Sequence, residues 1–324
     1  MECCGSDFEA SLLILSDAEV RQLCPQPAEV RRAMMEGFRH YANTRAGIPP
    51  KATVGTESNR FCQMMGAVAP GGTVAACKWV SVVLGERATV SGAILLNCYS
   101  CGKTIAVLNA AAITEMRTAA MSALAMSFLA RPESRSVGFV GVGAQAAAHL
   151  LHIQSALPGL TEIVCVGRST DSARRFAEFA TKSGVRARPA DGPEEAIGCD
   201  IIVSTVPHDT SKPPFLDADL VRPGATVCAV DLGRPWIGST MDRFDAVYTD
   251  DLSQAATPEN AVKMRYQGPY LGDLSDLASG HLPGRTGNER ILFQFPGFAL
   301  GDAILSDLVF RNARAHKIGQ RVRF

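Results

Sequence analysis

Three features of the sequence predict an α/β fold, a doubly wound parallel sheet joined to an α+β domain made from both chain ends. Short, continuously apolar runs alternate with helical stretches from residue 136 to about residue 250. A glycine-rich turn, Gly141-Val142-Gly143-Ala144-Gln145-Ala146, follows directly on the first of those runs, Val137-Gly138-Phe139-Val140. Residues 51–108 have another texture, β-branched runs cut by glycines. Strands buried on both faces read as unbroken apolar runs, and parallel neighbours need a crossover helix between them. Short runs between glycine turns read instead as antiparallel strands.

The elements follow in order. Ser16-Asp17-Ala18-Glu19 is a capping box that opens a first helix. A second helix over 27–41 places Val30, Met34 and Phe38 on one face and stops near Gly47 and Pro49-Pro50. Strands are expected at 73–76, 79–84, 93–96 and 104–108, with turns at Gly71-Gly72, Gly85, Gly92 and Gly102. The Ala- and Met-rich stretch 110–129 is a long helix, ended by Arg131-Pro132. Beyond it lie strand 137–140, a helix through Leu157, strand 163–166, helix 172–182 and strand 185–188. Strand 201–206, helix 217–221, strand 226–230 and strand 246–249 complete the alternation, and a helix over 299–315 leads into a basic tail. The expected domains are 1–130 with 296–324, and 131–295.

Composition narrows the function. A chain of 324 residues is long enough for two domains at roughly 150 residues each. Its 32 Lys+Arg balance 32 Asp+Glu, which argues against a nucleic-acid partner. Ten cysteines fall well under the roughly 8–10% density of disulfide scaffolds. They are scattered, and the one C-x-x-C, Cys98 to Cys101, has no second pair, so no metal is expected. Residues 1–10 carry no basic n-region, and 137–161, though free of Asp, Glu, Lys and Arg, contains glycines, Gln145, His149 and His152. The expectation is a cytoplasmic protein with no signal peptide and no membrane span.

The turn at 141–146 matches G-x-G-x-x-A in the context that gives the pattern meaning, after a strand and at the start of a helix. The first glycine permits the tight turn and the second lets backbone approach a pyrophosphate. The small third residue lets helix and strand pack, and the helix N-terminus faces the phosphates. This is a Rossmann fingerprint, with Gly141, Gly143, Ala144 and Gln145 as candidate dinucleotide contacts. After the second strand of such a fold an acidic residue would bond the ribose 2′-hydroxyl of NAD. Here Gly167-Arg168-Ser169-Thr170 offers a cation and two hydroxyls, which favours NADP(H) over NAD(H). The bland alternative is a solvated Arg168 beside a helix cap.

Three basic residues lie outside that segment in apolar surroundings: Arg45, Lys78 and Arg117. Such groups need a carboxylate partner, for which Glu57 and Glu115 are candidates, or an anionic ligand. His149 and His152 share a helix face and read as packing residues. His208 follows the fourth strand of the alternating segment, near the expected nicotinamide end.

Arg45 with Pro49, Lys78, Thr89, Met116-Arg117-Thr118-Ala119-Ala120, GVGAQA and Phe298-Ala299-Leu300-Gly301-Asp302-Ala303 resemble the ornithine cyclodeaminase/mu-crystallin family, colinearly from about residue 15 onward. The resemblance implies a homodimer whose α+β domain supplies subunit contact and substrate site, beside a Rossmann domain that binds NAD(P). It implies that Arg45, Lys78 and Arg117 hold the carboxylate of an α-amino or α-imino acid, with Lys78 as proton donor. Thr89, Thr118, Ala144, Gln145, Thr205, Val230 and Leu232 would touch the cofactor.

The chain departs from the cyclodeaminases after the fifth strand. Their catalytic aspartate aligns with Gly233 in Ala229-Val230-Asp231-Leu232-Gly233-Arg234-Pro235-Trp236-Ile237, and Ile237 stands where they have lysine. Asp231, two residues early, is the candidate replacement, and Arg234 and Trp236 suggest a second recognised group on the substrate. Gln294-Phe295-Pro296 also differs from the family's Ser-Val. Ring closure in a cyclodeaminase needs a group to manage protons on the ω-amine, whereas imine reduction needs a hydride and one proton. The expected activity is therefore NADPH-dependent imine reduction or amino-acid dehydrogenation. Cyclodeamination and non-catalytic binding of NADPH or a small molecule stand as alternatives.

Overall fold

The computed structural model describes residues 11–44, 47–57, 60–83, 89–207 and 212–323. The chain begins with β1 (Ser11–Leu15), α1 (Asp17–Leu23), α2 (Pro27–Thr44), β2 (Ala52–Glu57) and β3 (Arg60–Val68). β4 (Val74–Val83), β5 (Thr89–Cys98), β6 (Thr104–Asn109) and α3 (Ala110–Leu129) follow. Next come β7 (Ser136–Val140), α4 (Ala144–Ala156), β8 (Glu162–Val166), α5 (Thr170–Lys182), β9 (Arg186–Pro189) and α6 (Pro193–Ile197). β10 (Ile201–Ser204), β11 (Thr226–Ala229), β12 (Ala246–Thr249), α7 (Leu252–Ala255) and α8 (Pro258–Ala261) come after them. The chain closes with β13 (Gly272–Asp273), α9 (Leu274–Ser279), β14 (Ile291–Gln294), α10 (Ala299–His316) and β15 (Gln320–Arg323).

Contacts divide the chain into two units, Met1–Arg117 with Phe298–Phe324, and Thr118–Gly297. The first boundary thus falls inside α3, where the sequence reading places it at the helix end. A continuous helix gives no local sign of which core each of its turns joins.

The first unit holds a seven-stranded sheet in the order β15-β1-β6-β5-β4-β3-β2. Ser16 caps α1 as its sequence foretells: Glu19 N–H donates to Ser16 Oγ (3.4 Å) and Ser16 N–H to Glu19 Oε2 (2.8 Å). The runs at 73–76 and 79–84 are one strand, β4, in which Val74, Ala76, Lys78 and Val80 point inward. α10 packs across β3 and β4 and touches α1 and α2. It is buried on most of its surface, so even Asp302, Ser306 and Asp307 lie inside. The basic tail is strand β15, paired antiparallel with β1. Its Gln-Arg-Val-Arg sequence is exposed throughout and has no apolar alternation to mark it.

The second unit is the doubly wound sheet, in the order β13-β12-β14-β11-β10-β7-β8-β9, with every pairing parallel. After β9 the chain returns to the other side of β7, so the order reverses between β7 and β10. That switch point is where such sheets open a crevice at the strands' C-terminal ends. Register brings those ends level: Val140 pairs with Val166 and Ser204, and Ser204 with Ala229. The loops starting at Gly141, Gly167, Thr205 and Val230 therefore leave the sheet side by side. β14, fully buried between β11 and β12, is absent from the sequence reading, and the expected helix 217–221 is a 3-10 turn, Ala218–Leu220. Among the described residues no helix is long and apolar enough to cross a membrane.

Candidate functional site

Each unit carries one half of the expected chemistry. In the second unit, Gly141 has φ +90, and a Cβ there would lie 2.8 Å from the backbone carbonyl of Thr205, so only glycine fits. Thr205 in turn donates from Oγ1 to the Gly141 carbonyl (2.9 Å). Gly143 caps α4 with no side-chain hydrogen bond, and Ala144 is exposed. The first N–H groups of a 13-residue helix thus face outward uncapped, as an anion cradle requires. Gln145 Oε1 is buried with no hydrogen-bond partner, which marks a place for a ligand donor. These residues fit a dinucleotide.

At the end of β8, Arg168 and Thr170 are exposed, and neither makes a hydrogen bond through its side chain among the described residues. Ser169 is committed differently. Its Oγ accepts from Ser172 N–H (3.2 Å) as the cap of α5, the bland role foreseen for this turn. Thr118 lies buried in α3. His149 bonds Gln145 O (2.7 Å) and Ser122 Oγ (2.9 Å), and burial pushes it and His152 down to about 4, so both are neutral packing groups.

The loop after β11 corrects the expectation for Trp236 and engages Asp231 within its own unit. Its carboxylate accepts from Ser204 Oγ (3.0 Å), Val206 N–H (3.0 Å) and Gly233 N–H (3.2 Å), and so ties the ends of β10 and β11 together. Burial pushes it up to about 6 against those bonds. Trp236 is fully buried. It donates from Nε1 to Ser204 Oγ (3.2 Å) and meets Phe244 edge-on in the unit's core, so it cannot read a substrate. Arg234 remains half-buried, with its guanidinium unbonded among the described residues. Val230 donates its N–H to Ser204 O (3.0 Å), and Leu232 turns the chain at φ +61.

The first unit holds a buried ionic cluster. Lys78, 2% exposed on the inner face of β4, donates to Asp302 Oδ1 at 2.8 Å across 224 residues of sequence. Arg117 Nε lies 3.1 Å from the same oxygen. Burial pushes the Lys78 ammonium down to about 8; Asp302 opposes that shift and Arg117 reinforces it. Asp302 Oδ2 and, one turn along, Ser306 Oγ are buried without hydrogen-bond partners among the described residues. Two cations therefore share one carboxylate oxygen in a low-dielectric interior.

Of the carboxylates proposed from sequence, Glu115 pairs with Arg21 at 2.8 Å. The glutamate at 57 has no described side chain, and Arg45 and His208 lie outside the described residues, as does the side chain of Thr89. Asp302 is the partner of Lys78 and Arg117 that the sequence did not disclose. The available signal was an aspartate in the otherwise apolar run Phe298-Ala299-Leu300-Gly301-Asp302-Ala303-Ile304-Leu305.

The sequence profile of the ornithine cyclodeaminase/mu-crystallin family matches residues 12–317. The chain belongs to this family. It is 28% identical to an alanine dehydrogenase of Archaeoglobus fulgidus over 96% of this chain and 98% of that one. It is 24% identical to a Δ1-pyrroline-2-carboxylate reductase of Bacillus cereus over 97% and 100%. An archaeal alanine dehydrogenase dimer solved with bound NAD superimposes with a TM-score of 0.85, at 26% identity, over 97% of this chain and 99% of that one.

Proposed function

We propose that this chain is an NADPH-dependent reductase of α-imino acids, which also runs the reverse oxidation of α-amino acids. The buried Lys78–Arg117–Asp302 cluster carries the reading. A ligand carboxylate pairs with Lys78 and Arg117 beside Asp302, and the planar Arg117 guanidinium suits that group. Arg45 and Arg234 are proposed as further substrate contacts.

A bound nicotinamide dinucleotide supplies the hydride for the imine carbon. Lys78 gives the imine nitrogen its proton as the C=N electron pair settles there, and its neutral form takes that proton back in the amino-acid direction. A group near pH 8 is suited to both. Gly141, Gly143, Ala144 and Gln145 hold the pyrophosphate end of the dinucleotide, Thr205, Val230 and Leu232 its nicotinamide end, and Arg168 with Thr170 the 2′-phosphate. The relatives named above are an alanine dehydrogenase and a pyrroline-2-carboxylate reductase, which supports chemistry at C–N bonds.

Cyclodeamination is disfavoured. At Gly233, where those enzymes resemble this chain but carry aspartate, φ is +68 and a Cβ would sit 2.2 Å from Gln294 Oε1. Asp231, the one carboxylate in residues 230–237, is held by Ser204 and Val206.

A homodimer is proposed through the outer face of the first unit's sheet. There Val54, Met64, Trp79, Val83 and Leu95 on neighbouring strands are each more than a third exposed. Sedimentation of the wild type as a dimer and of Trp79→Glu as a monomer is expected; a monomeric wild type rejects this surface.

To test the activity, NADPH and NADH oxidation are followed with 1-pyrroline-2-carboxylate, and with 2-oxo acids plus ammonia. The proposal expects turnover with NADPH preferred. Ammonia release from ornithine or lysine, without net cofactor oxidation, would sink it.

A further inference from the structure

The loop after β11 holds a feature that imine reduction of a simple amino acid does not use. Arg234 and Arg265 lie together on the Rossmann unit at the C-terminal end of β11. Arg265 donates from Nη2 to the Arg234 carbonyl (3.3 Å) and from its backbone N–H to the Leu232 carbonyl (2.9 Å). Its Nε is buried with no partner, and the Arg234 guanidinium makes no hydrogen bond among the described residues. Desolvation lowers the pKa of Arg234, and the charge of Arg265 lowers it further while Asp231 works against both. Asp231 offsets part of that charge through space but makes no hydrogen bond to either guanidinium among the described residues; its oxygens accept from Ser204, Val206 and Gly233.

The two cations are held in a stiff frame. Arg234 N–H donates to Asp231 O (3.3 Å) and Trp236 N–H to Gly233 O (3.0 Å), which closes a tight turn. Leu232, at φ +61, takes a left-handed conformation that a branched side chain rarely adopts. Gln294, at the end of β14, accepts from Tyr266 N–H (3.2 Å) and donates to Tyr270 Oη (3.1 Å), fixing the segment that carries Arg265. The energy of holding two half-buried cations within Coulombic reach of each other is recovered when an anion binds to both.

We infer that Arg234 and Arg265 form a second anion site, which selects α-imino acids bearing a side-chain carboxylate. The inference rests on the imine-reductase reading for its substrate class. A cofactor phosphate is the wrong occupant. The pyrophosphate cradle leaves β7 and Arg168 leaves β8, whereas β11 lies beyond β10 on the opposite side of β7. That side of a Rossmann switch point holds the nicotinamide and the group it reacts with.

Initial rates with the cofactor-bound enzyme test this, using ammonia with pyruvate, oxaloacetate or 2-oxoglutarate. At least one dicarboxylic acid is expected to exceed pyruvate in kcat/KM by about tenfold or more, the scale of charge-assisted hydrogen bonds. Arg234→Ala and Arg265→Ala are each expected to cut that ratio about 10- to 100-fold, and Arg234→Lys to cut it less. A wild-type ratio at or below one, or a ratio unmoved by both alanine variants, overturns the site.

Thermal shifts of the NADPH complex with glutarate and with butyrate separate the two readings. Glutarate stabilisation that depends on Arg234, with no imine turned over, keeps the anion site and rejects the reductase. Imine turnover with glutarate no better than butyrate rejects the anion site alone.

Discussion

The glycine turn at the end of β7 and the ionic cluster under α10 are two proposed anion sites, and they are built by opposite means. Gly141 to Gln145 offer backbone N–H groups at an uncapped helix start, open to solvent and carrying no side-chain charge. Lys78, Arg117 and Asp302 offer full charges, almost entirely buried and brought together from β4, α3 and α10. The first depends on conformation: any side chain at Gly141 collides with Thr205. The second depends on charge balance, because two buried cations share the Asp302 carboxylate. A backbone cradle should therefore fail by losing its ligand, and a buried ion cluster by losing the fold.

The largest effect should come from breaking that balance. Asp302→Ala removes the carboxylate that Lys78 and Arg117 share, at a cost of about 3–5 kcal/mol. Urea unfolding would show it, and a midpoint close to wild type would contradict the account. Gly141→Ala should do the reverse, with a strain of about 1–3 kcal/mol that appears mainly as weaker NADPH binding in a fluorescence titration. Unfolding of Gly141→Ala before any loss of affinity would erase the contrast.

Arg168→Ala touches the cradle's exposed rim, and should lower the NADPH-to-NADH ratio of kcat/KM about 10-fold. The finest distinction is in pH. Because Lys78 titrates near 8, it is protonated below that pH and neutral above it. Imine reduction should therefore slow as pH rises through about 8, and amino-acid oxidation should speed up over the same range. Profiles flat across that window would remove Lys78 from proton transfer.

The two regions also differ in how far the sequence disclosed them. The cradle is contiguous: strand, glycines and helix lie within residues 136–156, so local pattern and local structure coincide. The same holds for the Ser16 capping box and for α3, whose ends the sequence located without any partner.

The cluster is assembled over 224 residues, and nothing near Lys78 names Asp302 as its partner. The nearer glutamates were reasonable candidates, and one of them, Glu115, is spent on Arg21. Trp236 misled for a related reason. A bulky residue after a strand end reads as exposed until its indole N–H is seen to reach Ser204 in the core. β14 and β15 escaped because one lacks alternation through full burial and the other through full exposure.

The central claim is that this chain moves a hydride onto an imine carbon held by its carboxylate. Reduction of 1-pyrroline-2-carboxylate with cofactor deuterated at nicotinamide C4 tests it most directly. The account predicts proline one mass unit heavier, labelled at the α-carbon, and loss of that product in Arg117→Ala. Unlabelled proline formed from ornithine with release of ammonia, or no product from any imine, would contradict it.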